Sequence, residues 1–145
     1  MAWKMVGDAY MKMSTKARYG LRALVDLAKN SQDGPVSISS IAERQKISEN
    51  YLEQLIAKLR KADIVTSIRG SQGGYILAKS ADDISVGDIL RTLEGDLSPV
   101  ECPMINEDVD CTDEAGCVTK YVWKKVNDSI STAVDQISLG ELIKL

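Results

Sequence analysis

The sequence SENYLEQLIAKLRK, residues 48–61, is the stretch that indicates the fold class of the chain. Its apolar residues recur at i, i+1, i+4, i+5 and i+8, which predicts an amphipathic helix with one buried face. Ser48 stands directly before this pattern and is a good N-cap. We therefore expect a helix over residues 49–61 whose opposite face is polar and faces outward. The apolar face consists of Tyr51, Leu52, Leu55, Ile56 and Leu59.

Two helical segments come before this helix and a hairpin follows it. Ser14 or Thr15 can cap a helix that runs to about Lys29, and a shorter helix is expected over residues 39–45. Two β-branched runs, residues 64–68 and 75–77, are separated by the glycine-rich stretch 69–74, which predicts a β-hairpin. Helix, short helix, helix and hairpin is the order of a winged helix-turn-helix.

Two further helices are expected after the hairpin, with one acidic loop between them. Ser85 begins a helix that Gly95 ends, and a last long helix is expected over residues 119–137. The predicted fold is mainly α with a small β-hairpin wing, followed by a long C-terminal dimerisation helix. We divide the chain into a loose extension or cloning remnant (1–10), a winged helix-turn-helix domain (11–80), a connecting helix (81–95), a cysteine-bearing loop (96–118) and a dimerisation helix with a C-terminal segment (119–145).

The last helix carries one apolar stripe. The stripe can pack against the same stripe of a second copy or back on its own domain. We favour a homodimer, because helix-turn-helix proteins commonly read two half-sites with two-fold symmetry. The expected dimer interface consists of Val122, Val126, Ile130 and Val134.

The charge of the chain is divided unevenly along its length. The chain has 145 residues and a net charge of −3, but residues 11–80 carry twelve Lys and Arg against six Asp and Glu. Residues 81–145 carry five bases against fourteen acids. The two halves are therefore expected to have different partners, although a chance gradient would look the same.

The composition excludes several function classes. The chain has no histidine, which excludes His-based acid–base catalysis, Ser-His-Asp and Cys-His sites and Cys₂His₂ zinc sites. No other nucleophile–base pair is apparent, so we do not expect an enzyme. No apolar run is long enough for a membrane helix. Three cysteines without a secretion signal fit a reduced, cytoplasmic setting.

The predicted winged helix-turn-helix implies a DNA-binding surface. The N-terminal part of the helix over 49–61 would face base edges, where amides pair with adenine and a carboxylate accepts from cytosine. Lysine and arginine would contact phosphates, and Arg69 with Gly70 and Gly73 would form the wing contact. The alternative is an ordinary solvated helix face. The predicted DNA-binding residues are Lys16, Arg18, Asn50, Tyr51, Glu53, Gln54, Lys58, Arg60, Arg69, Gly70 and Gly73, with Arg22 and Lys61 as further phosphate contacts.

The three cysteines lie together in the acidic loop. Cys102, Cys111 and Cys117 fall within sixteen residues, a spacing unlike that of a Cys-x₂-Cys zinc site. They can hold an iron–sulfur cluster, whose fourth ligand would come from elsewhere. A zinc site, a thiol redox switch and ordinary loop cysteines remain open on spacing alone.

Three motifs carry a family resemblance. STKARY (14–19), YLEQL (51–55) and RGSQGGY (69–75) resemble the bacterial winged-helix regulators that include IscR, NsrR and CymR, and the likeness extends over residues 11–145. The cysteine loop resembles the cluster-binding, IscR-like branch. The resemblance implies a homodimeric repressor that binds double-stranded DNA and controls iron–sulfur cluster biogenesis genes, with cluster-donor proteins as further partners. A regulator that senses nitric oxide, or thiol or zinc status, is the alternative.

The resemblance also assigns roles to individual residues. Glu53, Asn50 and Gln54 would read bases, Arg69 would serve the wing, and the three cysteines would hold a cluster, 2Fe–2S in preference to 4Fe–4S. IscR-like proteins commonly carry a histidine ligand three residues after the last cysteine, where this chain has Lys120. An ammonium is a poor iron ligand, so the fourth ligand is unassigned.

Overall fold

The computed structural model describes residues 13–100, 102, 105 and 117–145. Its elements are α1 (Thr15–Asn30), α2 (Ile38–Gln45), α3 (Glu49–Lys61), β1 (Val65–Ile68), β2 (Gly74–Leu77), a 3-10 turn (Ala81–Asp83), α4 (Val86–Glu94), α5 (Lys120–Asp135) and α6 (Leu139–Lys144). The predicted fold class is confirmed. The expected extension at residues 1–10 lies outside the described residues.

Serine caps set the starts of most helices. The side-chain oxygens of Ser14, Ser37, Ser48 and Ser85 each accept a hydrogen bond from a backbone N–H of the first turn that follows. Such caps satisfy donors that have no partner within the helix. The helix α3 has the bounds expected from the sequence, because cap and apolar period agree there.

The core lies between α1, α2, α3 and α4. Leu24 and Leu27 of α1 pack with Ile41 of α2, with the apolar face of α3 and with Ile89 of α4. Leu139 of α6 is fully buried in the same cluster. The core that supports the helix-turn-helix therefore continues past residue 80.

Close packing of α1 on α4 depends on Gly20. Gly20 is buried within α1, and a Cβ atom at this position would lie 2.2 Å from Cδ1 of Leu93. A glycine inside a helix is unfavourable by roughly 0.5–1 kcal/mol relative to alanine. The close approach of the two helices explains why glycine is used here.

An isolated β-bridge of one residue pair ties the hairpin to the helix-turn-helix. The strands β1 and β2 are antiparallel, with Val65 opposite Leu77 and Ile68 opposite Gly74. Val36, in the turn before α2, exchanges backbone hydrogen bonds of 2.9 and 2.8 Å with Tyr75. This bridge, which the sequence did not predict, holds the hairpin beside α2.

The C-terminal segment returns to the core through a second bridge. The backbone N–H of Leu139 donates to the carbonyl of Ile84 at 2.8 Å, and that of Val86 donates to Ile137 at 2.8 Å. The short helix α6 follows directly and was not predicted. None of the helices in the described part of the chain is long and apolar enough to cross a membrane.

Candidate nucleic-acid interface

The outward face of α3 carries the predicted base-reading residues. Asn50, Glu53 and Gln54 are all exposed, whereas the opposite face of the helix is buried. Among the described residues, the Glu53 side chain makes no hydrogen bond or ion pair. Its carboxylate is therefore accessible to a ligand at the surface.

Tyr51 connects this helix to α1. Its hydroxyl lies 3.1 Å from Oγ1 of Thr15, and its ring meets the Tyr19 ring edge to face at a centroid distance of 6.1 Å. Tyr51 is half-buried. The structure thus gives Tyr51 a packing role in addition to the base contact predicted for it.

Exposed cations lie near the face of α3 that carries Asn50, Glu53 and Gln54. Lys58 and Arg60 lie in the last turn of α3, and Lys61 ends the helix. Lys16 and Arg18 are exposed in the first turns of α1. These cations form two groups, one at the end of α3 and one at the start of α1. Two such groups can contact phosphates on either side of a groove.

Arg22 differs from the other cations expected at phosphates. Its guanidinium donates to the carbonyl of Gln45 at 2.7 Å and lies 5.5 Å from the centroid of the Tyr19 ring. These contacts hold α1 against the end of α2. We therefore leave Arg22 out of the proposed phosphate contacts.

The wing presents Arg69 and two glycines. Arg69 and Gly70 are exposed at the hairpin tip, and Gly70 has a φ of +118°, which favours glycine. At Gly73 a Cβ atom would lie 2.2 Å from the carbonyl oxygen of Ile68. The turn therefore needs glycine at both positions to present Arg69 at the tip.

A buried carboxylate joins α1 to α2. Asp26 is 6% exposed and accepts hydrogen bonds from Arg44 at 2.6 Å and from Gln45 at 2.7 Å. Burial raises the pKa of Asp26, but these hydrogen bonds and the charge of Arg44 outweigh burial and hold the pKa below its usual range. The role of Asp26 could not be predicted from the sequence, because Arg44 and Gln45 lie 18 and 19 residues away.

The cysteine loop is described only in part. Cys102 and Cys117 are free and half-buried, and Cys111 lies outside the described residues. Within the described residues, no group of three Cys, Asp or Glu side chains comes together as a metal site would require.

Cys117 lies beside the start of α5. Its Sγ is hydrogen-bonded to Oγ1 of Thr119 at 3.0 Å. This bond and, next, the backbone N–H of Lys120 lower the pKa of the Cys117 thiol. A lowered pKa favours the thiolate, the form that binds metals and reacts with oxidants.

The apolar stripe of α5 divides into two parts. Val122 is 54% exposed, and Val118 before the helix is 76% exposed. Ile130 and Val134 instead pack partly against a cluster of their own chain that includes Val86 and Leu90. The salt bridge between Arg91 and Asp135, at 2.7 Å, also fixes this end of α5 to α4. The part of the predicted dimer interface that is left uncovered is therefore its N-terminal part.

A helix-turn-helix with a polar, exposed second helix and an anchored hairpin beside it defines a winged-helix DNA-binding module. The chain belongs to the Rrf2 family, because the family model described as "Iron-dependent Transcriptional regulator" matches residues 13–145.

Individual relatives support the same assignment. The chain is 43% identical over 132 residues to the HTH-type transcriptional regulator CymR of Bacillus subtilis, covering 91% of this chain and 89% of that one. It is 40% identical over 134 residues to the HTH-type transcriptional regulator IscR of Photobacterium profundum, covering 92% and 76%. The solved structure titled T. potens IscR is 52% identical, with a TM-score of 0.74, and the match covers 92% of this chain and 86% of that one.

These matches establish a transcriptional regulator, in agreement with the prediction that the chain is not an enzyme. The structure titled as that of CymR, "the Global Cysteine Regulator of B. subtilis", has the same TM-score of 0.74 as the IscR structure, at 42% identity. IscR and CymR are thus similarly close relatives by fold.

Proposed function

We propose that the chain is a sequence-specific repressor that reads double-stranded DNA with α3 and the wing. The observation that carries this proposal is the exposed set of Asn50, Glu53 and Gln54 on a helix with cations at its far end. Amides and a carboxylate at the N-terminal part of such a helix match the hydrogen-bonding groups of the major groove.

Glu53 distinguishes sequence-specific from non-specific DNA binding. A carboxylate close to phosphates weakens binding by charge repulsion, whatever the sequence. A carboxylate at a base edge recovers this cost only where it accepts a hydrogen bond, as from N4 of cytosine. We therefore assign Glu53 to base selection, and Lys16, Arg18, Lys58, Arg60 and Arg69 to affinity.

We further propose that Cys102, Cys111 and Cys117 hold an iron–sulfur cluster and that the chain controls cluster biogenesis genes. Three thiolates are suitable donors for such a cluster, and the lowered pKa of Cys117 supports the thiolate form. A bound cluster would supply sensitivity to iron supply and to oxidants. Lys120 stands where IscR-like proteins have a histidine, so the fourth ligand must come from another group.

A thiol-, zinc- or nitric-oxide-sensing regulator of the same fold is the second candidate. It is favoured by the similar closeness of CymR, whose structure title names it a cysteine regulator. The half-buried Cys117, with its lowered pKa, also has the properties of a reactive thiol.

Anaerobic reconstitution separates the two candidates. Protein incubated with iron and sulfide should become coloured and hold both elements in fixed ratio, whereas Cys117→Ser should lose them. Thr132→Ser, an exposed conservative change on α5, is the control for handling. A colourless protein that holds stoichiometric zinc would overturn the cluster proposal and leave DNA reading intact.

We also propose that the chain acts as a cytoplasmic homodimer. The exposed Val122 and half-buried Val126 on α5 support an intermolecular contact. Two-fold symmetry would place two copies of α3 at half-sites about one helical turn of DNA apart.

A further inference from the structure

Glu94, the last residue of α4, caps the first turn of a different helix. Its Oε1 accepts hydrogen bonds from the backbone N–H of Ser14 at 3.0 Å and of Ala17 at 3.2 Å, and also from Oγ of Ser14. In an ordinary capping box a Glu three residues into the helix would serve this purpose. Here that position is Ala17, and the carboxylate comes from a residue 77 positions later.

This cap fixes the end of α1 that faces the proposed DNA surface. Lys16 and Arg18 lie in the capped turn, and both are exposed. Thr15, also in this turn, contacts the hydroxyl of Tyr51 on α3 at 3.1 Å. A carboxylate on α4 thus reaches the recognition helix through the two residues Ser14 and Thr15.

Glu94 also stands at the entrance to the cysteine loop. Gly95 ends α4 with a φ of +87°, and the loop 96–118 begins at the next residue. Leu93, next to Glu94, packs directly on Gly20 of α1. Glu94 and Leu93 therefore both contact α1 directly before the loop begins.

We propose that Glu94 is a positioning residue for DNA binding: it holds the first turn of α1 so that Lys16 and Arg18 meet phosphates and Thr15 supports Tyr51. This proposal rests on the proposed function. We propose no contact between Glu94 and DNA, because Glu94 acts only through α1.

The test measures the salt dependence of DNA binding as well as affinity. A duplex is first enriched from a random pool by the wild-type protein, and its binding is then titrated from 50 to about 200 mM salt. Each lost phosphate contact lowers the slope of log K against log salt by about 0.9. Glu94→Ala removes the oxygen that accepts all three hydrogen bonds, and it should therefore reduce the slope by about 1 to 2 and weaken binding about tenfold at low salt.

Two further variants complete the experiment. Asp83→Ala removes the same charge from an exposed residue of the 3-10 turn and should leave the slope unchanged. Glu94→Asp keeps the charge but shortens the side chain by one CH₂ group, so it should give a smaller change in the same direction as Glu94→Ala. If Glu94→Ala fails to fold, as judged by thermal unfolding, the comparison of Glu94→Asp with Asp83→Ala decides the matter.

The outcomes separate this proposal from the one it rests on. A wild-type protein that enriches no duplex overturns the proposed function. A wild-type protein that binds, with Glu94→Ala or its substitute Glu94→Asp showing the slope of Asp83→Ala, overturns the positioning role alone. A loss of thermal stability without a change in slope would likewise show that the cap is only structural.

Discussion

The carboxylate of Asp26 lies 2.6 Å from Nη2 of Arg44, and this ion pair joins α1 to α2. The Asp26 side chain is 3% exposed, whereas that of Arg44 is 40% exposed. Gln45 and Asn30 also donate to Asp26, so its carboxylate accepts five hydrogen bonds. The bonds from Arg44 and Gln45 connect α1 to α2.

Asp26→Asn should lower the free energy of unfolding by about 2 kcal/mol at pH 7, since charge-assisted hydrogen bonds are lost. The folded-state pKa of Asp26 lies below its usual value of 3.8. Its contribution is therefore complete above pH 3.8 and is lost as the pH falls through the folded-state pKa. Urea unfolding at pH 7 and at about pH 3 should show the difference between variant and wild type shrinking on acidification.

The control for this experiment is Asp33→Asn, which removes an exposed carboxylate from the turn after α1. It should change stability by less than about 0.5 kcal/mol at either pH. A difference between Asp26→Asn and wild type that stays constant down to about pH 2 would contradict the assignment of the effect to the ionised carboxylate.

Glu53→Ala should relax base preference while keeping or raising affinity for unselected DNA, because it removes both a base contact and a repulsive charge. Lys58→Ala, on the same helix, should weaken binding to all sequences about equally. The measurement is selection from a random duplex pool at fixed salt. An unchanged preference in Glu53→Ala would remove Glu53 from base reading.

Val122→Asp should shift the protein from dimer to monomer, since Val122 is exposed on the uncovered part of α5. Asn127→Asp introduces the same charge on the same helix and should leave the dimer intact. Sedimentation or size-exclusion with light scattering checks both. Ile130 is unsuitable for this test because it packs on its own chain, so its substitution would also disturb the fold. A dimer that persists in Val122→Asp would place the interface elsewhere.

Local signals explain why so much of the fold could be predicted from the sequence. At Ser48 a capping residue, an apolar period and a basic last turn coincide, and α3 has the expected bounds. The hairpin follows from β-branched runs around glycines. By contrast, the bridge between Val36 and Tyr75 joins single residues far apart in sequence, and such a pair has no period to detect.

The candidate site divides in the same way. Exposure of Asn50, Glu53 and Gln54 follows from helical periodicity, so it could be predicted. The contacts of Glu94 with Ser14 and of Asp26 with Arg44 depend on how helices pack, which periodicity does not report. The division of the α5 stripe was missed for the same reason, because its period is the same whether it packs on its own chain or on a second one.

A regulator that senses a cluster through Cys102, Cys111 and Cys117 must bind DNA differently with and without that cluster, and one titration measures this difference. The affinity for the selected duplex is measured anaerobically for wild-type protein before and after reconstitution with iron and sulfide, alongside a Cys102→Ser, Cys111→Ser, Cys117→Ser triple variant. Allosteric coupling of 1–3 kcal/mol corresponds to a change of about 5- to 150-fold in Kd. We predict a change of this size in the Kd of the wild type and no change in the triple variant. An unchanged Kd in the wild type, or an equal change in both proteins, would contradict control of DNA binding by a cluster on these cysteines.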